Sequence, residues 1–282
     1  MIRVSDSYLE NLITEDVPYI DLTCEVLGIG DKPGIIEYFT REDCYICGTE
    51  EVTRMMAKLG VEVVSSVASG TFVKAGDVFL TAKGNADALH MAWKVCLNVF
   101  DHYSAITTKT HEMVKKVHAV NPHCQVLTTR KSMPSTKPLT THAVMTGGAF
   151  PHRMGLGETV LIFSQHLAFM GGVDGFIENI DAIHARCVEK KLFIESSVED
   201  ACRLAEAGVD GVQLDKVPVD VLADLVPKLR AINPRITIIA AGGINMQNAA
   251  DYAATGVNGM ATTALFAVKP LDMSVRMTEV EA

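Results

Sequence analysis

Four side chains that can bind anions lie within a long acid-free segment of the sequence: Arg130, Lys131, His152 and Arg153. No Asp or Glu occurs from residue 113 to residue 157, although the whole chain has 34 acidic residues against 25 Lys and Arg. An arginine can bind a phosphate or a carboxylate through two parallel hydrogen bonds. A solvated basic surface is the alternative, but such surfaces usually mix charges of both signs. We therefore predict a binding site for a polyanionic substrate.

Two acidic residues stand at the ends of short apolar segments further along the chain. The segment LFIE ends with Glu195, and the segment VQLD ends with Asp215. Carboxylates at such positions can coordinate Mg²⁺, bind ribose hydroxyl groups or stabilise a developing positive charge. Ordinary surface or helix N-cap residues are an alternative that the sequence leaves open.

A glycine pair follows a third apolar segment and precedes a helix predicted to begin at Asn245. The segment IIAA is followed by Gly242 and Gly243, and the next apolar segment ends with Thr262 and Thr263. Backbone N–H groups at such a turn, aided by the helix dipole, can bind phosphate. A tight turn that needs glycine for a positive φ is the alternative. The late position favours a phosphate site, because the last loops of barrels often bind phosphate.

The elements that must position these residues follow a regular order in the second half of the chain. Short apolar segments recur at intervals of about twenty residues with amphipathic segments between them, which is typical of βα units. We predict an α/β fold in which residues 105–265 form a (β/α) barrel, either closed or partly open. Residues 142–146 are predicted to be one of its strands.

The first hundred residues have a different pattern. Short strand-like segments with glycine-containing turns surround one amphipathic helix at residues 49–60, and a long helical segment at residues 85–122 leads into the barrel. We therefore predict a separate N-terminal α/β domain, residues 1–104, on which the C-terminal residues 266–282 pack.

Composition excludes several classes of protein. The net charge of −9 argues against general nucleic-acid binding, which needs a basic face. Apolar segments are short and interrupted by charges, so no membrane span is predicted. The first residues lack the apolar core of a signal peptide, and seven cysteines, an odd number, favour reduced thiols. We expect a cytoplasmic protein that binds small molecules.

The central segment resembles the signature of the quinolinate (nicotinate-nucleotide) phosphoribosyltransferase family. That signature joins a TRK segment, a proline, an A-V pair, a glycine-rich turn and an H-R pair. The corresponding residues here are Thr129-Arg130-Lys131, Pro134, Ala143-Val144, Gly147-Gly148-Ala149 and His152-Arg153. The later segments QLDK and AAGGI are also similar to this family, and the resemblance covers nearly the whole chain.

The resemblance implies an enzyme with an N-terminal open-faced α/β sandwich and an incomplete α/β barrel. It also implies a homodimer or higher homo-oligomer with shared active sites. Its activity would be transfer of 5-phosphoribosyl from phosphoribosyl pyrophosphate, with Mg²⁺, to a ring nitrogen. Residues then expected on the donor side are Lys131, Glu195, Asp215, Ala241, Gly242, Gly243, Thr262 and Thr263, with Lys131, Glu195 and Asp215 catalytic and the two acids also near Mg²⁺. Residues expected on the acceptor side are His102, Arg130, His152, Arg153 and Phe163.

Four positions depart from the family pattern, and each loses charge or polarity. His102 replaces an Arg, Phe163 and Thr141 each replace a Lys, and Ala241 replaces a Ser. Loss of a charged partner for a buried carboxylate costs about 2–5 kcal/mol, so tight quinolinate binding is not expected. The pattern resembles the ModD branch of the family, which is associated with molybdate transport.

We therefore expect a ModD-like phosphoribosyltransferase, or pyrophosphorylase, with an unidentified nitrogen-heterocycle acceptor. One alternative is a true carboxylating nicotinate-nucleotide pyrophosphorylase, and another is a non-catalytic oxyanion- or metabolite-binding protein linked to molybdate transport. The presence of both Glu195 and Asp215 favours an enzyme, since a plain anion receptor gains nothing from nearby carboxylates. An aldolase-like barrel would need a Schiff-base lysine, for which only Lys216 is available, just past its strand.

Overall fold

The computed structural model describes residues 2–281. The helices are α1 (Asp6–Asp16), α2 (Leu22–Leu27), α3 (Thr49–Lys58), α4 (Ala86–His118), α5 (Lys137–Thr146), α6 (Ser164–Leu167), α7 (Gly172–Glu178), α8 (Ile180–Arg186), α9 (Val198–Glu206), α10 (Val219–Ile232) and α11 (Ala249–Ala254). The strands are β1 (Pro33–Thr40), β2 (Cys44–Tyr45), β3 (Glu62–Ser66), β4 (Phe72–Val73), β5 (Val78–Asn85), β6 (Gln125–Thr128), β7 (Phe150–Pro151), β8 (Val160–Ile162), β9 (Leu192–Ser196), β10 (Gly211–Asp215), β11 (Thr237–Ala241), β12 (Gly259–Thr262) and β13 (Met273–Glu279).

The described chain divides into two compact units. One, called here the sheet unit, contains residues 2–111, 133–148 and 266–281, and the other, the barrel unit, contains residues 112–132 and 149–265. The boundary predicted at residue 104 falls inside α4, which continues to His118. Residues 1 and 282, the outer ends of the predicted ranges, lie outside the described residues. Within residues 2–281 no helix is both long and apolar enough to cross a membrane.

The barrel unit is built on a parallel sheet of seven strands in the order β7-β6-β12-β11-β10-β9-β8. Neighbouring strands in this order pair in parallel throughout. The strands β7 and β8 follow each other along the chain but lie at opposite edges of the sheet, and they do not pair within the described range. The sheet is therefore an incomplete barrel, which confirms the predicted α/β fold class.

The interior of this barrel is apolar below its carboxyl-terminal edge. Side chains alternate between the two faces of a strand, so every second residue points inward. An inward-facing cluster forms from Leu127, Leu161, Phe163, Phe193, Ile239, Ala241 and Ala261. Gly211 makes room for this cluster, because a Cβ atom there would lie 2.3 Å from the ring of Phe193. The mouth of the barrel therefore contains the side chains two residues further along each strand. These are Glu195 after Phe193 and Gln213 after Gly211.

The sheet unit contains an antiparallel sheet in the order β13-β1-β5-β3. Strand β13, from the C-terminal segment, pairs with β1 in the register Tyr38↔Val275. Residues of β1 alternate between half-buried and buried, as expected for a sheet with one packed face. The packed face belongs to a large apolar cluster that includes Tyr38, Phe79 and Phe100. A separate antiparallel sheet of this kind agrees with the expected N-terminal sandwich.

The prediction of a barrel strand at residues 142–146 was wrong, because these residues belong to α5. This helix starts with Pro138 in its first turn and buries Leu139, His142 and Ala143, which are spaced for one helix face. It belongs to the sheet unit, where Leu139 joins the apolar cluster. A short apolar run such as HAVMT fits either a strand or a buried helix. The middle of the acid-free segment is thus used for packing in the sheet unit.

Candidate active site

A cavity of about 600 Å³ opens at the carboxyl-terminal ends of the barrel strands. This volume is in the range usual for small-molecule sites. The predicted site residues that line it are Arg130, Lys131, His152, Arg153, Phe163, Glu195, Asp215, Ala241, Gly242, Gly243, Thr262 and Thr263. The structure therefore brings together every predicted site residue of the barrel unit, although their roles stay predictions.

His102 is the one predicted site residue that does not line this cavity. It is exposed on α4, in the sheet unit, and its Nδ1 atom lies 3.0 Å from the carbonyl oxygen of Asn98. The expected role of His102 in a site shared between subunits stays a prediction.

Three cations of the cavity form no salt bridge in the described part of the chain. Arg130 and Lys131 follow β6 and are exposed, whereas Arg153 follows β7 and is only 9% exposed. None of the three forms a salt bridge within residues 2–281. Burial lowers the pKa of Arg153 and the neighbouring charge of Arg130 lowers it further, whereas the charge of Glu158 opposes them in part. A bound anion would stabilise the charged guanidinium against both burial and repulsion from Arg130.

A chain of hydrogen bonds crosses the barrel mouth from β7 to β9. Nε2 of His152 lies 3.0 Å from Oε1 of Gln213, and Nε2 of Gln213 donates to Oε2 of Glu195 at 2.7 Å. Gln213 is 6% exposed, and the sheet register places it directly beside Glu195. Burial lowers the pKa of His152 and the charge of Arg153 acts in the same direction, whereas the hydrogen bond to Gln213 opposes them. At neutral pH the His152 ring is therefore uncharged.

Gln213 is a site residue that the sequence reasoning missed. The signal was available, because Gln213 is the one uncharged polar residue in the apolar strand GVQLD. A polar residue inside an apolar strand is expected to have a hydrogen-bonding partner.

The glycine loop after β11 has the backbone that only glycine adopts easily. The φ angles of Gly242 and Gly243 are 80° and 74°. The following helix was predicted to begin at Asn245 but begins at Ala249, because Asn248 folds the intervening residues into a turn. In that turn Oδ1 of Asn248 accepts from the backbone N–H of Asn245 at 2.8 Å, and its side-chain nitrogen donates to Gly243 at 3.1 Å. A phosphate site here would thus depend on the loop backbone rather than on a long helix dipole.

Thr262 ties the last barrel strand to the glycine loop. Its hydroxyl donates to the carbonyl oxygen of Ile244 at 2.6 Å and accepts from the backbone N–H of Ala264 at 3.0 Å. Thr262 is 3% exposed, whereas Thr263 is exposed at the cavity. The hydroxyl of Thr262 therefore shapes the loop, and Thr263 offers the freer side chain to a ligand.

Phe163 forms part of an apolar wall of the cavity together with Leu161. Its backbone N–H donates to Nδ1 of His166 at 3.0 Å, and the two rings stack with their centroids 6.0 Å apart. These contacts fix the position where β8 ends and α6 begins. The wall offers apolar contact to a ligand.

Glu195 and Asp215 are the two carboxylates of the cavity that could hold a metal ion. One oxygen of Glu195 is already used by Gln213, and Asp215 is exposed. Mg²⁺ is usually held by one or two carboxylates together with substrate phosphates and water. Within residues 2–281, clusters of three metal-ligand side chains occur only in the sheet unit, at Asp21-Cys24-His90 and Glu50-Glu51-His142. The barrel mouth therefore does not fit a metal bound by protein side chains alone.

Two models of one protein family together match most of the chain. The model of the quinolinate phosphoribosyl transferase C-terminal domain matches residues 106–276, and the model of the N-terminal domain matches residues 21–104. The chain belongs to the quinolinate phosphoribosyl transferase family. The family resemblance inferred from the TRK, H-R and glycine-loop residues is thereby confirmed.

Relatives of this chain include proteins named provisionally as pyrophosphorylase ModD. The ModD protein of Rhodobacter capsulatus is 38% identical over 251 residues, which cover 89% of this chain and 96% of the relative. The ModD protein of Pasteurella multocida is 32% identical over 276 residues, which cover 98% of both chains. The NadC structure from Streptococcus pyogenes has a TM-score of 0.89 at 22% identity and covers 100% of both chains. That likeness shows the shared fold, and the ModD relatives agree with the branch indicated by the sequence.

Proposed function

We propose that the protein is a ModD-like phosphoribosyltransferase that transfers 5-phosphoribosyl from phosphoribosyl pyrophosphate to a nitrogen heterocycle other than quinolinate. The observation that carries this proposal is that three cations without a salt bridge in residues 2–281 line one cavity together with two carboxylates. A phosphoribosyl donor requires both, because its phosphates are anionic while its ribose becomes cationic during transfer. A receptor for a simple anion gains nothing from the carboxylates.

On the donor side, each charged group of the cavity balances an opposite charge of the phosphoribosyl donor. Arg130, Lys131 and Arg153 neutralise the phosphates, so that pyrophosphate can leave with the electron pair of the C1–O bond. The carboxylates of Glu195 and Asp215 stabilise the oxocarbenium-like ribose that remains. When Mg²⁺ is bound to the donor phosphates, it supplies further neutralisation of the leaving group, and Glu195 and Asp215 are the residues that would hold it.

On the acceptor side, Phe163 and Leu161 provide an apolar surface and His152 provides an uncharged ring. The cavity has no lysine at residue 163, where family members have one, so it is less suited to a dicarboxylate. The acceptor is therefore expected to be a ring with fewer negative charges than quinolinate.

We further propose that the enzyme is a homodimer whose subunits share active sites, as the family resemblance implies. Five large apolar side chains around α2 are more than half exposed and would be covered in a dimer: Tyr19, Ile20, Leu22, Val26 and Leu27. Several large apolar side chains exposed close together along the chain are typical of interaction sites.

The test is donor binding by the full-length protein with and without an acceptor. Phosphoribosyl pyrophosphate with Mg²⁺ should raise the melting temperature, and Lys131→Gln should weaken donor affinity at least about tenfold. The matched control is Lys74→Gln, which removes an exposed lysine of the sheet unit and should leave donor affinity unchanged. Stabilisation by molybdate but not by the donor would support the non-catalytic alternative. Pyrophosphate release with quinolinate would support the carboxylating alternative.

A further inference from the structure

Two carboxylates and one imidazole meet inside the sheet unit, and none of them lines the barrel cavity. They belong to Glu50 and Glu51 of α3 and His142 of α5, and one ligand atom from each lies within 4.8 Å of the other two. Ligand atoms that share one metal ion at about 2.0–2.2 Å lie roughly 3–4 Å apart, so small side-chain movements would close the site. Glu51 is 2% exposed, His142 is buried and Glu50 is half-buried. The three groups are therefore placed as ligands of one ion would be.

Glu51 has a carboxylate oxygen to which the described chain gives no partner. Its Oε1 atom lies 3.1 Å from Nδ1 of His142, whereas Oε2 is buried and has no hydrogen-bond partner within residues 2–281. No Lys or Arg forms a salt bridge with Glu50 or Glu51 in that range. A buried oxygen without a partner is costly, and one imidazole, even when charged, balances only one of two carboxylates. A divalent cation beside an uncharged ring would balance both carboxylates and give Oε2 a partner.

The side chain of Glu50 is held in place by two neighbouring residues. The backbone N–H of Ser69 donates to Oε1 of Glu50 at 3.1 Å, and the hydroxyl groups of Ser69 and Thr49 both donate to Oε2. A carboxylate has about four lone-pair sites, so Oε1 keeps one for a metal ion. Hydrogen bonds of this kind orient the ligands of metal sites.

The second cluster of metal-ligand side chains in the sheet unit, Asp21-Cys24-His90, is less suited to a metal. Oδ1 of Asp21 accepts from the backbone N–H groups of Thr23 and Cys24 at the start of α2, at 2.9 and 3.3 Å. Burial raises the pKa of the Cys24 thiol to about 11, and a metal binds the thiolate rather than the thiol. No side-chain nitrogen or oxygen of this cluster is buried without a partner in residues 2–281.

We propose that Glu50, Glu51 and His142 bind a divalent transition-metal ion of the Zn²⁺ type, with water in the remaining coordination position. An imidazole ligand favours Zn²⁺, Co²⁺ or Fe²⁺ over Mg²⁺ and Ca²⁺, which prefer oxygen ligands alone. Three protein ligands with one water form a known zinc geometry. In the metal-free protein His142 and Glu51 form an ion pair, and the metal takes the place of the ring proton.

The bound metal links α3 to α5, two helices that are distant along the chain, and so stabilises the sheet unit. This site does not rest on the proposed transferase function, because none of its ligands lines the barrel cavity. Failure of the transferase proposal would therefore leave the metal site in place.

The first test is zinc binding by the full-length protein after treatment with EDTA. Calorimetry at one fixed pH should show a single equivalent of Zn²⁺ bound, and Zn²⁺ should raise the melting temperature more than Mg²⁺ at the same concentration. Glu51→Gln should weaken zinc affinity at least about 100-fold, because loss of an outer hydrogen bond alone costs about 10–100-fold. The matched control is His90→Gln, which removes a histidine of the other cluster and should leave the affinity unchanged.

Four results of this test would overturn the proposal. They are absence of zinc binding by the wild type, binding that survives Glu51→Gln, loss of binding in His90→Gln, and equal stabilisation by Mg²⁺. A second measurement does not depend on the folding of any variant. In crystals of the zinc-loaded wild type, anomalous scattering at the zinc absorption edge should give a peak between Glu50, Glu51 and His142, and a peak only at another place contradicts the assignment.

Discussion

The carboxylate of Asp215 lies against the backbone of Gly242. A Cβ atom added to Gly242 would be 2.4 Å from Oδ1 of Asp215 and 2.9 Å from the backbone nitrogen of Lys216. The next residue, Gly243, also has a positive φ, but a Cβ atom there would meet nothing within 4 Å. The two glycines therefore have different functions: Gly242 makes room for the end of β10, whereas Gly243 only satisfies the backbone conformation.

Alanine substitutions at these two glycines should differ in their effect. Gly243→Ala is expected to lower the free energy of unfolding by about 1–2 kcal/mol, the cost of a left-handed alanine. Gly242→Ala should cost about 1–3 kcal/mol more, because the methyl group displaces Asp215 or Lys216, and it should also weaken donor binding. Urea denaturation and calorimetry with the donor measure the two effects. Equal losses in both variants would show that Asp215 does not depend on Gly242.

Arg153 is a buried guanidinium that has no salt bridge in the described chain. Replacing it by Met keeps much of the side-chain length and removes the cost of the buried charge, which the charge of Glu158 offsets only in part. Arg153→Met should therefore raise the free energy of unfolding by about 1 kcal/mol or more and weaken pyrophosphate binding at least about tenfold. In Arg130→Met, where the side chain is exposed, affinity should fall without a gain in stability. A destabilised Arg153→Met would indicate that the guanidinium supports the fold instead of a ligand.

The barrel and most of its site could be predicted from the sequence, because strand ends and polar side chains coincide along the chain. The segments ending at Glu195 and Asp215 proved to be β9 and β10, and both carboxylates line the predicted cavity. Parallel strands place their carboxyl-terminal ends at one edge, so the order of segments was enough to bring these residues together.

Features that depend on contacts between distant segments could not be predicted. The segment HAVMT became part of α5 because Leu139 of that helix joins the apolar cluster of the sheet unit, a contact that local periodicity does not contain. The bridge from His152 through Gln213 to Glu195 joins three strands, and it depends on which face of β10 points inward. The late start of α11, at Ala249 instead of Asn245, depends on the side chain of Asn248.

His142 and Glu51 form a buried ion pair in the sheet unit that should make stability depend on pH. Nδ1 of His142 lies 3.1 Å from Oε1 of Glu51, and the two residues are 8% and 2% exposed. The hydrogen bond and charge of Glu51 raise the pKa of His142 and outweigh the opposing effect of burial, and the nearby charge of Glu50 adds to the rise. The resulting stabilisation is complete below the unfolded value of about 6.5 and is lost as pH rises through the raised folded value.

The measurement is urea denaturation of the wild type and His142→Gln near pH 6 and near pH 9. The variant should lose about 3–5 kcal/mol at the lower pH, where the pair is charged in the wild type, and less at the higher pH. His123→Gln removes an exposed histidine and should show no such difference. A loss that is equal at both values would mean that the charge of His142 does not stabilise the pair.

Phe163, in place of the lysine of the family pattern, should lower the affinity for quinolinate. The double variant Phe163→Lys with His102→Arg restores two cations of the family pattern. It should increase quinolinate affinity at least about tenfold, since each charged hydrogen bond contributes about 1.5–3 kcal/mol. Phe163→Leu with His102→Arg is the matched control, because it changes the same positions without adding the ammonium group. Calorimetry that detects no heat of quinolinate binding with the double variant would contradict this explanation of the family departures.

The exposed apolar side chains around α2 should form the subunit contact of the proposed homodimer. This short helix is fixed at its start by Asp21, whose Oδ1 accepts from the backbone N–H of Thr23 at 2.9 Å, and it ends at Gly28 in a left-handed conformation. Leu22 and Val26 are 64% and 75% exposed and lie one turn apart, so they share a helix face. A second copy of this surface is the simplest partner, because self-complementary patches make twofold dimers.

Light scattering after size-exclusion chromatography tests this contact. The wild type should elute as a dimer, and Leu22→Lys with Val26→Lys should be a folded monomer with lower transferase activity, because the active sites are proposed to be shared. Val188→Lys is the control, since Val188 is 86% exposed in the barrel unit and should not affect assembly. Dissociation by Val188→Lys alone would move the contact to the barrel unit, and a monomeric wild type at micromolar concentration would exclude the shared site. In that case His102 would lose its proposed place beside the acceptor.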